Sequence, residues 1–323
     1  MKRLVLLAFL LPQLAVADNT ANKNNNNNNK AAPKPQIVER ARLEIQPAGQ
    51  PIKQIAIENP LGNVRVEGYD GTSIQIETRK QGPNEEAIDR LRISLVPNPD
   101  GTVRMKTTAD GGAEYTKLAR DQVRIDLLVR APRDARIEAV SSAGSLEVVN
   151  MDAGGDLDTA SGKIVVKNVA GEVVTNSVSG ATSLSQVFGS VDAQIMSSNL
   201  DLDSIGGERL VASVNHGKIE GRRVRSRNVE LSTLDGKIIL EGESSLRGRF
   251  VVSSVSGDID IKLRKNGLTI IRARGAKVNL GATTKTQTRQ DGWVEAQLIG
   301  MGTAPALIEM QSRRGVVKFA IIE

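Results

Sequence analysis

The sequence predicts an all-β protein built as a single-stranded β-solenoid (β-helix) with short rungs of 18–21 residues. Three observations predict this fold. Small residues recur at a nearly constant interval, apolar and polar residues alternate on both sides of each, and the interval leaves no room for a helix. The small residues, spaced by 18, 18, 18, 19, 19, 21 and 19, are Gly144, Gly162, Gly180, Ser198, Gly217, Gly236, Gly257 and Ala276.

The alternation defines two strands in each repeat, one before and one after the small residue. Two positions after it stand Leu146, Ile164, Thr182, Leu200, Ile219, Ile238, Ile259 and Val278. Seven positions before it stand Ile137, Gly155, Val173, Val191, Leu210, Val229, Phe250 and Thr269. A period of two indicates a strand with one buried face, and one repeat cannot bury both strands alone. Repeats stacked about 4.8 Å apart would share one core. A β-sandwich is the structural alternative, although sandwiches seldom hold so regular a register.

The pattern also divides the chain into regions. We expect a signal peptide over 1–17, a flexible Asn- and Pro-rich linker over 18–36, and an irregular N-terminal β region over 37–136 that continues weakly into the solenoid. Regular repeats fill 137–281, and a C-terminal capping hairpin with a last rung fills 282–323. Residues 80–92 break the pattern as an insertion or helical turn, and Asp291-Gly292 is the predicted hairpin turn.

The N-terminus predicts export. Lys2 and Arg3 precede an apolar stretch that is too short to span a bilayer, and an Ala-Val-Ala signal places cleavage between Ala17 and Asp18. The following linker contains six consecutive asparagines. We expect no transmembrane segment after signal removal, and a periplasmic, cell-surface or secreted location.

Composition excludes several classes of function. The chain has no cysteine and one histidine, which excludes disulfide scaffolds, thiol catalysis and multi-histidine or cysteine zinc sites. Aromatic residues make up 2% of the chain, which argues against base-stacking nucleic-acid modules and aromatic-lined sugar grooves. The net charge of +6 is too small to indicate nucleic-acid binding. We therefore predict no nucleic-acid partner, no cofactor and no metal.

The repeated phrases SSAGSLEVV, TASGKIVVKNV, STLDGKIIL and SSVSGDIDI resemble the bacterial putative-adhesin family (domain of unknown function 4097) and the related head-GIN putative adhesins. The resemblance covers about residues 40–323. It implies a β-strand-repeat fold and an adhesive role, and it supplies no catalytic residues.

Carboxylates provide the candidate enzymatic positions. Asp201 and Glu220 occupy equivalent outward positions on adjacent rungs, close to the carboxyl separation of retaining glycosidases, but Lys218 is expected to neutralise Glu220. Asp260 lies two rungs beyond Glu220. The segment 152–158 resembles calcium-binding repeats only superficially, because the next rung lacks the pattern. We predict no catalytic residue.

Two single residues receive structural interpretations. His216 precedes Gly217 at a corner and has no assigned carboxylate partner, so we expect a structural role. Trp293 follows the predicted hairpin turn and is expected to pack over the last rung, with ligand stacking as the alternative.

A basic corner is the predicted binding patch for an anionic polymer. It comprises Arg222, Arg223, Arg225 and Arg227 in one rung, with Lys262 and Lys265 two rungs on. An ordinary solvated corner is the alternative.

These observations favour an exported, non-enzymatic protein that acts as an adhesin or as a cell-envelope binding or scaffold module. Its partner would be an envelope polymer or a surface protein, and its oligomeric state is open. Two alternatives are a polysaccharide-active enzyme on a β-helical scaffold and a regulatory envelope protein that binds another protein at a solenoid edge.

Overall fold

A computed structural model describes residues 13–14, 37–47, 49–111, 123–264, 266–281, 286–298 and 304–322. The predicted signal cleavage site at Ala17 and Asp18, the linker and Lys265 lie outside these residues. The first strands and the helix are β1 (Gln13–Leu14), β2 (Ile37–Ile45), β3 (Gln54–Glu58), β4 (Val64–Tyr69), β5 (Ile74–Gly82), α1 (Glu85–Asp89), β6 (Leu91–Pro97), β7 (Thr102–Ala109) and β8 (Arg124–Pro132).

The remaining elements are all strands. They are β9 (Arg136–Ser141), β10 (Leu146–Met151), β11 (Gly155–Thr159), β12 (Ile164–Ala170), β13 (Val173–Ser177), β14 (Thr182–Ile195), β15 (Leu200–His216), β16 (Ile219–Asp235), β17 (Ile238–Glu243), β18 (Arg249–Ser254), β19 (Ile259–Arg264), β20 (Thr269–Arg274), β21 (Lys277–Asn279), β22 (Thr286–Thr288), β23 (Val294–Leu298), β24 (Ala306–Ser312) and β25 (Val316–Ile322). All belong to one hydrogen-bonded sheet, which confirms the all-β prediction.

In the middle of the chain, each strand pairs in parallel with the equivalent strand of the next repeat. The first ladder runs through β10, β12, the first halves of β14, β15 and β16, then β17 and β19. The second ladder runs through β9, β11, β13, the second halves of β14, β15 and β16, then β18. The register follows the sequence period, since Ile164 lies beside Thr182 and Thr182 beside Leu200.

Both ladders bury one face in a single hydrophobic core. Leu146, Ile164 and Leu200 of the first ladder are fully buried, as are Ile137 and Leu210 of the second. The predicted alternation of buried and exposed residues is confirmed on both ladders, and the two inner faces share one set of contacts.

Glycine is required at the corner that leads from the second ladder to the first. A Cβ atom on Gly180 would overlap the carbonyl oxygen of Gly162, and one on Gly162 would overlap that of Gly144. The corner is held by a hydroxyl three residues earlier, because Ser177 Oγ accepts a hydrogen bond of 2.9 Å from the Gly180 amide. Thr159 holds Gly162 in the same way at 2.9 Å.

At both ends, the spatial order of the strands departs from the order in the sequence. β4 lies between β10 and β8, and β3 lies between β9 and β7. At the other end, β25 lies between β19 and β21, and β24 between β18 and β20. The repeat at Ala276 was expected to stack on the repeat at Gly257, and this is wrong. The last repeat of the chain, which contains Gly315, lies between them.

Antiparallel strands extend the sheet beyond these outer repeats. β5 pairs with β8, β2 with β5 and β1 with β2, while β6 pairs with β7. Residues 80–92 contain the short helix α1, whose N-terminus is capped by Asn84. At the C-terminal end, β23 pairs with the outer edge of β20 and β22 pairs with β23. β22 and β23 thus form a hairpin around Asp291-Gly292, with Gly292 in the left-handed region at φ 81°.

A buried asparagine joins the outermost N-terminal repeat to its neighbour. The Asn59 side chain is fully buried, and its amide donates to the carbonyl oxygen of Ile125 at 2.8 Å. Its oxygen accepts from Thr107 Oγ1 at 2.6 Å and from the Leu61 amide at 3.3 Å. Asn59 thus occupies the corner position that Ser or Thr holds in the middle repeats. In the described parts of the chain, no helix is long and apolar enough to cross a membrane.

Candidate functional site

The predicted basic corner lies on β16. At Arg223, which has a φ of 52°, this strand leaves the first ladder and turns toward the second. All four arginine side chains are exposed, by between 48% and 68%. Each forms an ion pair with a carboxylate: Arg222 with Glu220, Arg223 with Asp203, Arg225 with Glu243 and Arg227 with Glu208. Lys262 lies outward on β19 beside Glu241.

These ion pairs reduce the positive charge that the corner presents to solvent. The distances are 3.8 Å for Arg222 and 3.5 Å for Arg225, each between a guanidinium nitrogen and a carboxylate oxygen. The carboxylates come from β15, β16 and β17, which sequence reasoning did not include in the patch. Binding of an anionic polymer at this corner stays a prediction.

The Asp201–Glu220 pair has the predicted register, since the two residues are direct partners on β15 and β16. A hydrogen bond from Lys218 lowers the pKa of Glu220, and the positive charges of Lys218 and Arg222 lower it further against the opposing effect of burial. Lowering the pKa keeps Glu220 ionised, which disfavours the role of general acid. Asp260 lies beyond Ile239, two strands away from Glu220 as predicted.

The carboxylates of the 152–158 segment are each bound by a neighbouring side chain. Arg133 Nε contacts Asp152 Oδ2 at 3.0 Å, and the pKa of Arg133 is raised by this hydrogen bond and by the negative charge. Arg136 contacts Asp156 at 2.9 Å. Within the described ranges, no group of three or more His, Asp and Glu side chains is arranged to hold a metal ion.

His216 has a carboxylate partner that sequence reasoning missed. Its Nδ1 lies 2.8 Å from Asp235 Oδ1, with both side chains more than half exposed. Asp235 is its direct partner on the next strand. Because these two repeats are 19 residues apart, as His216 and Asp235 are, the spacing could have identified the pair. Trp293 is half-buried beside the hairpin turn, and its amide donates to Asp291 Oδ1 at 3.2 Å.

A groove of about 540 Å³, here called the side groove, runs along the corner that carries the glycines. Its lining comes from consecutive repeats on β9, β11, β13, β14 and β15. One wall, here called the polar wall, begins with Val140 and continues with the polar residues Asp158, Asn176, Gln194 and Ser213. The other wall lies at the turn and consists of Ser142, Ala160, Val178, Met196 and Asn215; it is here called the apolar wall for its three central residues.

The two walls of the side groove differ in chemistry. On the apolar wall, Val178 is 49% exposed and Met196 is 51% exposed. Their backbone amides donate hydrogen bonds to carbonyl oxygens of the preceding repeat, which keeps the side chains in one row. The Met196 amide, for example, donates to the Ser177 carbonyl oxygen at 2.9 Å. On the polar wall, Asn176 Nδ2 donates to Asp158 Oδ1 at 2.7 Å. Asp158 is the single ionisable residue among the described residues that line the groove.

Sequence reasoning missed the side groove because it treated these corners as turns alone. The signal was present in the residue that follows the buried corner position. Along the stack, that residue is Ser142, Ala160, Val178, Met196, Asn215, Leu234 and Val255, of which five are apolar. Exposed aliphatic side chains that recur at one position of a turn indicate a contact surface.

Comparisons with known proteins find similar solved structures. No family model and no curated protein matches the chain. A putative lipid binding protein from Parabacteroides distasonis ATCC 8503 is 12% identical, with a TM-score of 0.46, over 88% of this chain and 97% of that one. A putative adhesin from Bacteroides fragilis NCTC 9343 is 12% identical, with a TM-score of 0.33, over 88% and 97%.

A putative cell adhesion protein from Clostridium sporogenes ATCC 15579 is also similar, with 12% identity and a TM-score of 0.26 over 88% of this chain and 100% of that one. All three TM-scores lie below 0.5.

Proposed function

We propose that the chain is an exported, adhesin-like protein of the cell envelope that binds an extended glycan strand in the side groove. The observation that carries the proposal is the groove itself, which crosses consecutive repeats and has one polar and one apolar wall. The proposal includes membership of the putative-adhesin family (domain of unknown function 4097), which the repeated Gly-containing phrases resemble.

In this proposal, each middle repeat is one rung of a β-solenoid. The support comes from the two parallel ladders, which advance by one repeat per strand and bury their inner faces in a single core. β14, β15 and β16 each contribute to both ladders, so one continuous strand passes from one face to the other. A rung of this kind brings equivalent side chains into straight columns about 4.8 Å apart.

A glycan strand fits the chemistry of the groove better than a charged polymer. The Asp158 carboxylate is bound by Asn176, so the polar wall presents mainly amide and hydroxyl groups. Such groups pair well with sugar hydroxyls, and the aliphatic wall of Val178 and Met196 offers a surface for the apolar faces of sugar rings. The column spacing is close to the length of one sugar unit in an extended chain, which supports a repeating ligand.

Binding experiments with isolated envelope test the proposal. The purified protein is sedimented with untreated, protease-treated and periodate-oxidised envelope fractions. We expect binding to survive protease treatment and to fall sharply after oxidation of the sugars. Binding that protease treatment removes would identify a protein partner and overturn the glycan proposal, and absence of binding to all fractions would overturn the adhesive role.

Variants assign the binding to the side groove. The double variant Val178→Asp/Met196→Asp places two charges on the apolar wall, and we expect about tenfold weaker binding. Leu246→Asp is the matched control, since Leu246 is 56% exposed and lies outside the groove. Equal loss in the control variant, or no loss in the double variant, contradicts a groove-based function.

The basic corner is tested in the same assay. The variant Arg222→Glu/Arg225→Glu removes two ion-paired arginines. Because salt screens exposed charges, a contribution from this corner should appear at low ionic strength and vanish at high ionic strength. Binding that survives high salt and the Arg222→Glu/Arg225→Glu change would leave the side groove as the binding surface.

A further inference from the structure

A second concave surface, here called the N-terminal cleft, lies on the outer face of the N-terminal end. It is formed by β2, β5, β8, β4 and β10 and has a volume of about 720 Å³. No sequence motif pointed to it, because its strands are brought together by antiparallel pairing and by the altered strand order at this end.

Arg40 and Arg79 lie directly opposite each other in this cleft, on the antiparallel strands β2 and β5. Both side chains are exposed, and neither forms an ion pair or hydrogen bond with another described residue. Like charges that face each other across two strands destabilise the sheet. The pair therefore places two guanidinium groups without an ion pair to a described residue side by side at the wall of a cleft, with Asp126 of β8 directly opposite Arg79 on the other side of β5.

The other charged residues of the cleft are paired with each other. Arg42 contacts Glu77 at 3.2 Å, and Arg65 contacts Glu147. The remaining carboxylate of the cleft is Asp126, which lies directly opposite Arg79 on β8.

Asp126 is already engaged by other groups. Its Oδ1 accepts from Arg124 Nε at 2.6 Å and from the Asn63 amide at 2.9 Å. Arg79 therefore faces a carboxylate whose Oδ1 is already bound by Arg124 and Asn63, and Arg40 has no carboxylate directly opposite it on β5.

We propose that Arg40 and Arg79 bind a phosphate group in the N-terminal cleft. A phosphate carries enough negative charge to offset both guanidinium groups, and the planar donor fork of arginine matches phosphate oxygens in bidentate fashion. This site is separate from the side groove and does not depend on the glycan proposal. The phosphate belongs to a lipid headgroup, to a polymer or to a small phosphate ester, since the pair recognises the group that these share.

Thermal unfolding with inorganic phosphate tests the site. At constant ionic strength, we expect replacement of chloride by phosphate to raise the Tm of the unaltered protein. Arg40→Gln and Arg79→Gln should each weaken phosphate binding about tenfold, as loss of a charge-assisted contact predicts. Arg249→Gln is the matched control, because Arg249 is an exposed arginine on the second ladder without an ion pair to any described residue.

The behaviour without phosphate separates binding from a structural role. Because removal of Arg40 relieves its like-charge repulsion with Arg79, Arg40→Gln should have a Tm in chloride equal to or above that of the unaltered protein. A Tm in chloride that falls in Arg40→Gln, with the phosphate response intact, overturns the proposal. A phosphate response that is equal in Arg249→Gln and Arg79→Gln also overturns it.

Vesicles distinguish the sources of the phosphate. Sedimentation with phosphatidylglycerol vesicles, but not phosphatidylcholine vesicles, that is lost in the double variant Arg40→Gln/Arg79→Gln assigns the group to a lipid headgroup. Binding of glycerol phosphate without vesicle binding assigns it to a small ester or a polymer. The proposal is rejected if inorganic phosphate, glycerol phosphate and both kinds of vesicle all fail to bind.

Discussion

The middle of the molecule and its two ends use the same repeat in different ways. Between β9 and β19, each strand lies beside the strand of the next repeat in the sequence. At the N-terminal end, the repeat of β7 and β8 lies outside the earlier repeat of β3 and β4, and at the C-terminal end, the repeat of β20 and β21 lies outside the later repeat of β24 and β25. Gly144 therefore contacts Gly62 across 82 residues, and Gly315 contacts Gly257 across 58 residues.

The difference shows what a sequence period can and cannot specify. A period identifies spatial neighbours only where the chain advances by one repeat at a time. If the outermost repeat simply followed its neighbour in the sequence, its outer edge would expose unpaired amides and carbonyls, which promote association with other chains. Here each outermost repeat is instead fixed to the stack by an inner repeat from a distant part of the chain, and antiparallel strands extend beyond it.

Removal of the last repeat breaks this arrangement and has the largest expected effect. A chain that ends before Ala304 lacks β24 and β25, whose buried side chains include Ile308, Met310 and Val317. Each such side chain contributes about 1.5–3 kcal/mol when buried. Because β20 and β21 then lose their parallel neighbours, we expect their amides to exchange rapidly and the Tm to fall steeply, as hydrogen exchange and calorimetry would measure.

A deletion at the outer edge provides the control. Replacing β22 and β23 by a flexible Gly/Ser linker of about 12 residues removes antiparallel strands that pair only at the edge of β20. We expect a smaller decrease in Tm and continued protection of β18 and β19. Equal effects of the two deletions would contradict the inner position of the last repeat.

The sequence was sufficient to predict the buried faces of the middle strands and which strands are neighbours. Alternating residues such as Ile164 and Val166 identified the buried faces, and the glycine spacing identified the neighbours. The position of Gly315 was not predictable in this way. Its repeat extends the pattern only weakly, and its place between the repeats of Gly257 and Ala276 follows from long-range pairing with β18 and β19.

The corner glycines of the middle repeats supply the second prediction. Gly180→Ala places a Cβ atom against the carbonyl oxygen of Gly162, so neighbouring repeats would have to separate. Overpacking of this kind costs about 1–3 kcal/mol, and we expect a value near the upper limit because the obstacle is backbone. Urea unfolding measures the change in the free energy of unfolding.

Ser198 provides a natural comparison for this corner. It occupies the same column as Gly162 and Gly180. The residue three positions before it is Ile195, whereas a Thr or a Ser stands three positions before Gly162 and Gly180. Ser198→Gly removes a side chain that its own corner accommodates, and we expect a change of less than about 1 kcal/mol from added flexibility. A Gly180→Ala variant as stable as Ser198→Gly would show that the glycine column is not needed for close stacking.

The candidate surfaces, like the fold, differ in how much of them the sequence could predict. The basic corner was visible in the sequence because its four arginines lie within six residues, but their partners Asp203 and Glu243 belong to neighbouring repeats and were not considered. The N-terminal cleft was not predictable, since the antiparallel register that places Arg40 opposite Arg79 follows from the folded N-terminal end. Surface chemistry therefore depends on which strands become neighbours.

Surface charge in the middle repeats is expected to have the smallest effect on stability. Glu220 is three-quarters buried by its neighbours and contacts Lys218, which lowers its pKa. A lowered folded-state pKa stabilises the protein above the unfolded-state value near 4.3, and this contribution is lost as the pH falls through the folded-state pKa. Glu220→Gln should therefore reduce stability at pH 7 and have little effect in acid.

The expected loss at pH 7 is about 0.5 kcal/mol, the size of a surface ion pair. Urea unfolding at pH 7 and near pH 3 measures it, with Glu230→Gln as the control, because Glu230 is exposed and forms no ion pair with a described residue. A loss in Glu220→Gln that persists undiminished at pH 3 would mean that packing, not charge, accounts for the effect. A loss comparable to that of Gly180→Ala would mean that ion pairs, and not close backbone contact at the glycine corners, hold the middle repeats together.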